Sequence, residues 1–577
     1  MIRQTIAIGG LLIWLAPLWA QNVPVQEHVL ENGLKLLMVP RQGDPNIAAG
    51  WIAKVGSVNE HPGITGISHL FEHMMFKGTH TIGTRDIQGD LKLIDEMDAL
   101  KEEMGKEEEA LIEKQRLGEI DNANDPQYRT PHYQELLAKY DTMLKRQREL
   151  IVKDEFSQTY MAAGASGMNA GTTEDFTVYY VNVPANKLEL WFWMESDRLA
   201  NPIFREFYSE RDVVREERRL RTDSTPTGKF EEEFESIFWN SSPYGWPVVG
   251  WPSDLERITR EEAKSYFDIN YAPNNISACL VGDFTPAQAI ALAKKYLGRL
   301  RRGPRDPEPV RTIEIKQVAE ARMIAYAETN PEAMIRYHTV ADGHRDEPAM
   351  MILADLLNGR TGRLYKSLVL DQGVANSASA SHEGRKYEGL FELRAVAKPG
   401  KTPEEVEKAL IQELERLKKE PVGERELQKV KNQNAAADYR RLQSNFALMF
   451  QLLIRDSGRG WQYINTDPKL LQAVTAADVM RVANTYFTPE NRTVAIYYTK
   501  RGAGPGQDPL LKDLNEQEMQ MVQQMKSKVG NLTKEQVQQT LQQIEQQAGQ
   551  APPDKQKLIE LMRKILQARL QSLEGGK

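Results

Sequence analysis

This 577-residue chain has one cysteine, Cys279. That excludes an intrachain disulfide framework and any cysteine-rich zinc site. Its apolar setting, Ser277-Ala278-Cys279-Leu280-Val281, predicts a buried core thiol rather than a nucleophile. Long apolar runs are also missing: beyond the first twenty residues, no segment approaches a membrane helix. Nor is there a strong excess of charge. A net charge of −7 and a pI near 5.9 give no reason to expect nucleic acid as a partner. What is present is 41% hydrophobic and long enough for two or more globular domains. At the N-terminus, Arg3, the apolar stretch Ile6 to Leu15 and Leu18-Trp19-Ala20 read as a secretory signal over residues 1–20. The expectation is an exported protein with no membrane span after signal cleavage, periplasmic if the source is Gram-negative.

Histidine is sparse, nine residues in all, yet two stand in His69-Leu70-Phe71-Glu72-His73. Residues four apart share a helix face, so His69 and His73 can point at one ion. Neutral imidazole is a common Zn²⁺ ligand, and Glu72 stands where it can take a proton from a water polarised by the ion. The order is H-x-x-E-H, the inverted form of the zincin motif. Ile67, Leu70, Phe71, Met74, Met75 and Phe76 surround these polar groups, as in a buried helix. Burying them is costly unless a metal compensates, or unless they form a satisfied structural cluster.

A catalytic zinc usually takes three protein ligands. In Ser209 to Arg218, residues Glu210, Val213, Val214 and Glu217 fall on one helical face, with Glu216 turned toward the arginines. Glu217 is the expected third ligand and Glu210 an outer carboxylate that orients a ligand or water. The alternative is a salt-bridged surface helix.

A weak repeat organises the rest. Thr259, Tyr271, Pro273 and Asn275 recur in spacing as Thr475, Phe487, Pro489 and Asn491, each set followed by a β-like run, Ile276 to Val281 and Arg492 to Tyr498. Two related domains are expected, at 21–299 and 312–500, joined by a breaker-rich linker at 300–311. From about 90 to 155, Met97, Leu100, Met104 and Leu111 form one apolar stripe, and Leu136, Leu137, Tyr140, Leu144 and Ile151 another. A helical hairpin is expected there, as a lid, a docking arm or a solvated insertion. The Gln-rich tail, 501–577, carries amphipathic helical patterns at Val537, Leu541, Ile544 and Ala548 and from Leu558 to Leu573.

These motifs resemble the insulinase, pitrilysin and mitochondrial processing peptidase family of zinc peptidases. H-x-x-E-H is followed by E-R-x-x-V-x-x-E at Glu210 to Glu217. Asn169-Ala170 through Tyr179 resembles the family strand N-A-x-T-x-x-D-x-T-x-Y, and Trp193 to Leu199, Pro243-Tyr244-Gly245 and Tyr271 to Asn275 agree in order. The resemblance implies an α+β fold: two homologous domains, each a mostly antiparallel sheet flanked by helices, together one half of a clamshell. It also implies one Zn²⁺ per chain on His69, His73 and Glu217, with Glu72 as general base. Asn169 and Ala170 would lie on an edge strand that pairs with a peptide or unfolded polypeptide. The implied activity is endopeptidase; the rivals are a non-catalytic scaffold or assembly subunit and a zinc amidase for small molecules.

Two departures stand out. Glu217 follows His73 by 144 residues, a gap lengthened by the predicted hairpin. The family's arginine and tyrosine from the other half of the clamshell are replaced by Val369 and Asn376 in the matching stretch. The chain is also short for both halves. The expectation is therefore a heterodimer with a related chain that supplies the Arg/Tyr pair, or failing that a homodimer.

Overall fold

A computed structural model describes residues 22–500 and, in the tail, 525, 529, 534–548, 559–567 and 569–570. The expected signal segment lies outside the described residues. Two sheets, each flanked by helices, make up the body. The first contains β1 (Gln26–Val29), β2 (Lys35–Pro40), β3 (Asn46–Ala53), β4 (Ser166–Thr172), β5 (Thr177–Pro184) and β6 (Ile276–Gly282), in the order β1-β2-β6-β3-β5-β4. Only the β2/β6 pair is parallel. The second contains β7 (Ala321–Ala327), β8 (Glu332–Thr339), β9 (Ala375–Gly384), β10 (Gly389–Ala397) and β11 (Arg492–Thr499), in the order β7-β11-β8-β10-β9. Here only β7/β11 is parallel. Apart from β1, the two sheets share one topology.

The repeated turn explains why. Thr259 and Thr475 each N-cap a helix through a capping box, with Glu262 and Asp478 reaching back. After each helix, Asn275 and Asn491 donate their side-chain amides at 2.8 Å to the carbonyls of Asn270 and Tyr486, five residues earlier. Each turn then feeds a central strand.

Alternation along the first sheet's central strands builds two cores. Leu36, Met38, Ala49, Trp51, Ala278 and Leu280 face one helical layer. Leu37, Val39, Ala48, Ile52, Cys279 and Val281 face the other, where the helix Asn445–Ser457 brings Leu448, Met449, Leu452 and Leu453. Cys279 is fully buried and unpaired, as expected.

That second layer is borrowed from the second domain's stretch of chain, and the loan is mutual. The helix Gly228–Phe238 of the first stretch packs Phe234 on Met323, Ala325, Ala495 and Tyr497 of the second sheet. Polar contacts follow the exchange. Asp456, enclosed at the end of the 445–457 helix, receives Lys35 at 2.8 Å, Lys54 at 3.3 Å and the Ser277 hydroxyl at 2.6 Å. Arg385 of the second domain meets Glu174 of the first at 3.2 Å. The two domains therefore share their cores.

The expected hairpin is present as α2 (Ile87–Arg116) and α3 (Pro131–Leu150), after the short helix α1 (Ile67–Met74). Met104, Tyr133 and Leu136 pack where α2 and α3 meet, while Leu137 is exposed. In the tail, Val537 and Ile544 of the helix Lys534–Ala548 pack with Leu566. The expected pattern from Leu558 to Leu573 lies partly outside the described residues.

Candidate active site

Helix α1 is anchored before it carries any chemistry. Gly66 starts it at φ +88°, where an added Cβ would stand 2.5 Å from the Val249 carbonyl, so only glycine fits. The Glu60 carboxylate accepts the N–H groups of Gly66 at 2.7 Å and Ser68 at 2.8 Å, satisfying donors that a helix start leaves free. Burial pushes that carboxyl up to about 8 against the pull of these two donors. Phe71 locks the helix into an aromatic nest with Phe204, Tyr266, Phe267 and Tyr271. His69 is buried, whereas Glu72 and His73 are half-buried and open toward the site.

Helix α6 (Phe207–Arg218) faces α1; the intervening helices are α4 (Glu155–Ala162) and α5 (Leu188–Ala200). Glu206 enters it in the left-handed region, at φ 57°. A π-helical stretch, Arg219–Asp223, continues it. Glu217 Oε2 lies 3.2 Å from His73 Nε2 and 3.8 Å from His69 Nε2. Ligand atoms about 2.0–2.1 Å from a tetrahedral zinc are roughly 3.3 Å apart. His69, His73 and Glu217 offer three such atoms within 4.8 Å of one another, and no other three metal-binding side chains do so among the described residues. The residues fit zinc.

Electrostatics agree with that fit. Burial, helped by the charges of His73 and Arg221, pulls His69 down to about 3, so its imidazole is neutral and free to bind a metal. Burial also works to lower His73, but the bond to Glu210 and the charges of Glu217, Glu210 and Glu72 outweigh it and raise the group. The pocket thus has more carboxylate than cation. Glu210 Oε2 lies 3.6 Å from His73 Nδ1, the ring nitrogen opposite the one facing Glu217, and Glu210 also pairs with Lys77. Burial works to raise Glu210, but His73 and Lys77 hold it below the usual carboxylate range.

Glu72 does not belong to this trio. Its Oε2 accepts the Thr172 hydroxyl at 2.8 Å, which ties it to the end of β4. In the first sheet β4 is the outermost strand. Asn169 is exposed on it, and Ala170 is buried against the core.

One detail of the α6 reading is corrected. Val213 is 46% exposed, so the inward face is carried by Phe207, Glu210, Val214 and Glu217. Glu216 points away and pairs with Arg219, as expected. Lys77, Thr172, Glu60 and Arg221 were not foreseen; Arg221 holds Glu217 Oε1 at 2.7 Å. Two of these had a signal in the sequence, since Lys77 and Arg221 each follow a site residue by four positions. Val369 and Asn376 serve the second domain: the Val369 carbonyl accepts Lys398 at 3.2 Å, and the Asn376 amide donates to the Ala397 carbonyl at 3.4 Å.

Residues 38–95 match the family model described as insulinase (peptidase family M16), and residues 257–434 match that described as peptidase M16 inactive domain. The chain thus carries stretches of both M16 peptidase domain models, one on each side of Glu217. The M16 relative named zinc protease PqqE, of Helicobacter pylori, is 26% identical over 506 residues, 85% of this chain and 98% of its own. A Bacillus subtilis protein named uncharacterized zinc protease YmxG is 19% identical over 71% of this chain and 82% of its own. Among solved structures, a protease from Helicobacter pylori superposes with a TM-score of 0.67 at 23% identity, covering 82% of this chain and 99% of that one. The periplasmic protease PqqL from Escherichia coli matches with a TM-score of 0.62 at 15% identity, over 87% of this chain but only 50% of that one. The M16 fold here therefore spans half the length of PqqL. The first family match ends inside α2, where the hairpin begins, and Glu217 falls between the two matched stretches.

Proposed function

We propose that this chain is a zinc-dependent endopeptidase acting on peptides or unfolded polypeptides. The observation that carries the reading is two imidazoles and a carboxylate converging on one point, with Glu72 held separately beside an edge strand. His69, His73 and Glu217 would hold one Zn²⁺. When bound, the ion supplies Lewis acidity, polarising a carbonyl oxygen and making water easier to deprotonate. Glu72, aimed by Thr172, takes the proton from the attacking water and returns it to the departing amine. The Glu210 carboxylate, 3.6 Å from His73 Nδ1, favours a proton on that nitrogen and so leaves Nε2 to face the ion. An extended peptide adds to β4 near Asn169 and Ala170 through main-chain hydrogen bonds, which are largely indifferent to sequence.

The transition-state oxyanion also needs donors, and this chain has neither arginine nor tyrosine at positions 369 and 376. The half-length match to PqqL supports pairing with a second, related chain that carries them. Export to the periplasm fits the sequence of the first twenty residues, and no helix among the described residues is long and apolar enough to cross a membrane. Cleavage of a denatured polypeptide should be measured for the chain alone and mixed with its related chain, before and after chelation and zinc readdition. Zinc-dependent cleavage that needs the mixture is expected. Zinc uptake without cleavage in either sample would leave the scaffold reading standing and remove the enzymatic one.

A further inference from the structure

The hairpin meets α6 in its first turn, at Tyr208, and holds residues that flank the helix. At its base, Asp90 of α2 is fully buried and accepts Arg205 Nε at 2.6 Å and the Gln147 amide at 2.9 Å. Arg205, two residues before α6, spends its other donors on the carbonyls of Lys77 at 2.6 Å, Thr79 at 3.1 Å and Ile82 at 3.3 Å, in the turn that follows α1. One guanidinium thus joins the exit of the histidine helix, the hairpin and the entry of the glutamate helix. Further along, Asp98 accepts the Tyr208 hydroxyl of α6 at 3.0 Å and Arg260 Nε at 3.2 Å. Lys101 sits 4.4 Å from the centre of the Tyr140 ring and 5.5 Å from that of Tyr208. At the hairpin's far end, Asn124 reaches Glu256 at 3.5 Å, and Glu256 binds Arg215 of α6 at 2.6 Å.

Helix α6 needs such support. Most helices are held by an apolar inward face, but this one turns Glu210 and Glu217 inward, beside Glu72, and its buried apolar residues are Phe207, Val214 and the hairpin-facing Tyr208. Like charges turned toward a pocket push a helix outward unless something behind it resists.

We propose that the Ile87–Leu150 hairpin is a brace that presses α6 toward α1, setting Glu210 and Glu217 at the separation from His69 and His73 at which the ligands close on an ion. This rests on the zinc reading above. Asp90, Asp98, Arg205 and Tyr208 are positioning residues, since they act through α6 and not on substrate.

The test is zinc affinity, measured by competition with a chelator, on full-length Asp98→Asn, Tyr208→Phe and their double variant. Losing outer support around a metal site typically costs about 10–100-fold in affinity. Each single change should weaken zinc binding toward the lower end of that range. The double should be no worse than Asp98→Asn alone, because the two share one hydrogen bond. The thermal midpoint of metal-free Tyr208→Phe should stay within about 2–4 °C of the parent. Unchanged zinc affinity in all three variants overturns the brace, whether they lose thermal stability, as a merely structural contact would, or show a raised KM for long substrates, as a lid would. A parent chain that takes up no zinc instead removes the reading on which the brace rests.

Discussion

The same pair of helices occurs in both sheet domains and is put to different use. In the first domain, α1 after β3 meets α6, the second helix after β5, and their contact is made by His69, His73, Glu210 and Glu217. In the second, the helix Glu347–Leu357 after β8 meets Glu424–Gln443, the second helix after β10. There Met350, Leu353, Leu357, Leu427 and Val430 belong to one apolar core, with a polar pair, Asn434 to Asp355 at 2.8 Å, outside it. Burying a leucine or valine stabilises by about 1.5–3 kcal/mol, whereas a buried ion pair returns little beyond what its own desolvation costs. One duplicated scaffold therefore has an apolar copy and a copy that gathers histidines and carboxylates. The polar copy is held by its neighbours: the shared helices, the Glu60 cap and, by the proposal above, the hairpin.

The sharpest way to break this contrast is to change the proposed base without touching the proposed metal ligands. Glu72→Gln should keep one equivalent of zinc and lower kcat by about 10²–10⁴-fold, as read by metal analysis beside peptide cleavage. Cleavage at the parent rate would remove Glu72 from its role. Next comes the dependence of one copy on the other. Asp456→Asn, which leaves Lys35 and Lys54 without their shared partner, should cost about 2–4 kcal/mol in a denaturant titration. Burial pulls Lys54 down against the pull of Asp456, so the cluster rests on the enclosed carboxylate, which answers two cations. Burial works to raise Asp456, yet Lys54, Lys35 and Ser277 hold it below the usual range. Its folded-state value is depressed, so its contribution is present above the unfolded carboxylate range and is lost as pH falls through the folded value. An Asp456→Asn protein whose stability matches the parent down to acid pH would contradict this.

Smaller effects probe the helix pairs themselves. Glu210→Gln should weaken zinc binding by about 10–100-fold in chelator competition while one equivalent still binds at saturation. The matching change on the second pair, Asp355→Asn, should leave zinc affinity untouched and shift stability by no more than about 0.5 kcal/mol. Equal zinc losses from the two substitutions would erase the distinction between the copies.

Much of this was legible from local pattern. H-x-x-E-H declares a helix with two imidazoles on one face because spacing of four is fixed by helix geometry. The repeat was legible because a capping threonine and a turn asparagine make the same hydrogen bonds in both copies. Glu217 was legible by its face, although Val213 misled as to where that face ends. What stayed hidden depends on distance in the chain. Thr172 meets Glu72 across 100 residues and Asp90 meets Arg205 across 115, and no periodicity encodes such pairings. The helix exchange was hidden for the same reason, since an amphipathic helix does not state which sheet it covers. The hairpin stripes announced a pair of helices, but not that their polar residues Asp90 and Asp98 would be spent on the segment around α6.

The central claim is that three side chains separated by up to 148 residues, His69, His73 and Glu217, form one zinc site in the first domain alone. Zinc content per chain, measured after dialysis for the parent and for Glu217→Ala, tests it most directly. About one equivalent in the parent and a marked loss in Glu217→Ala is the predicted result. A full equivalent retained by Glu217→Ala, or none in the parent, would contradict it.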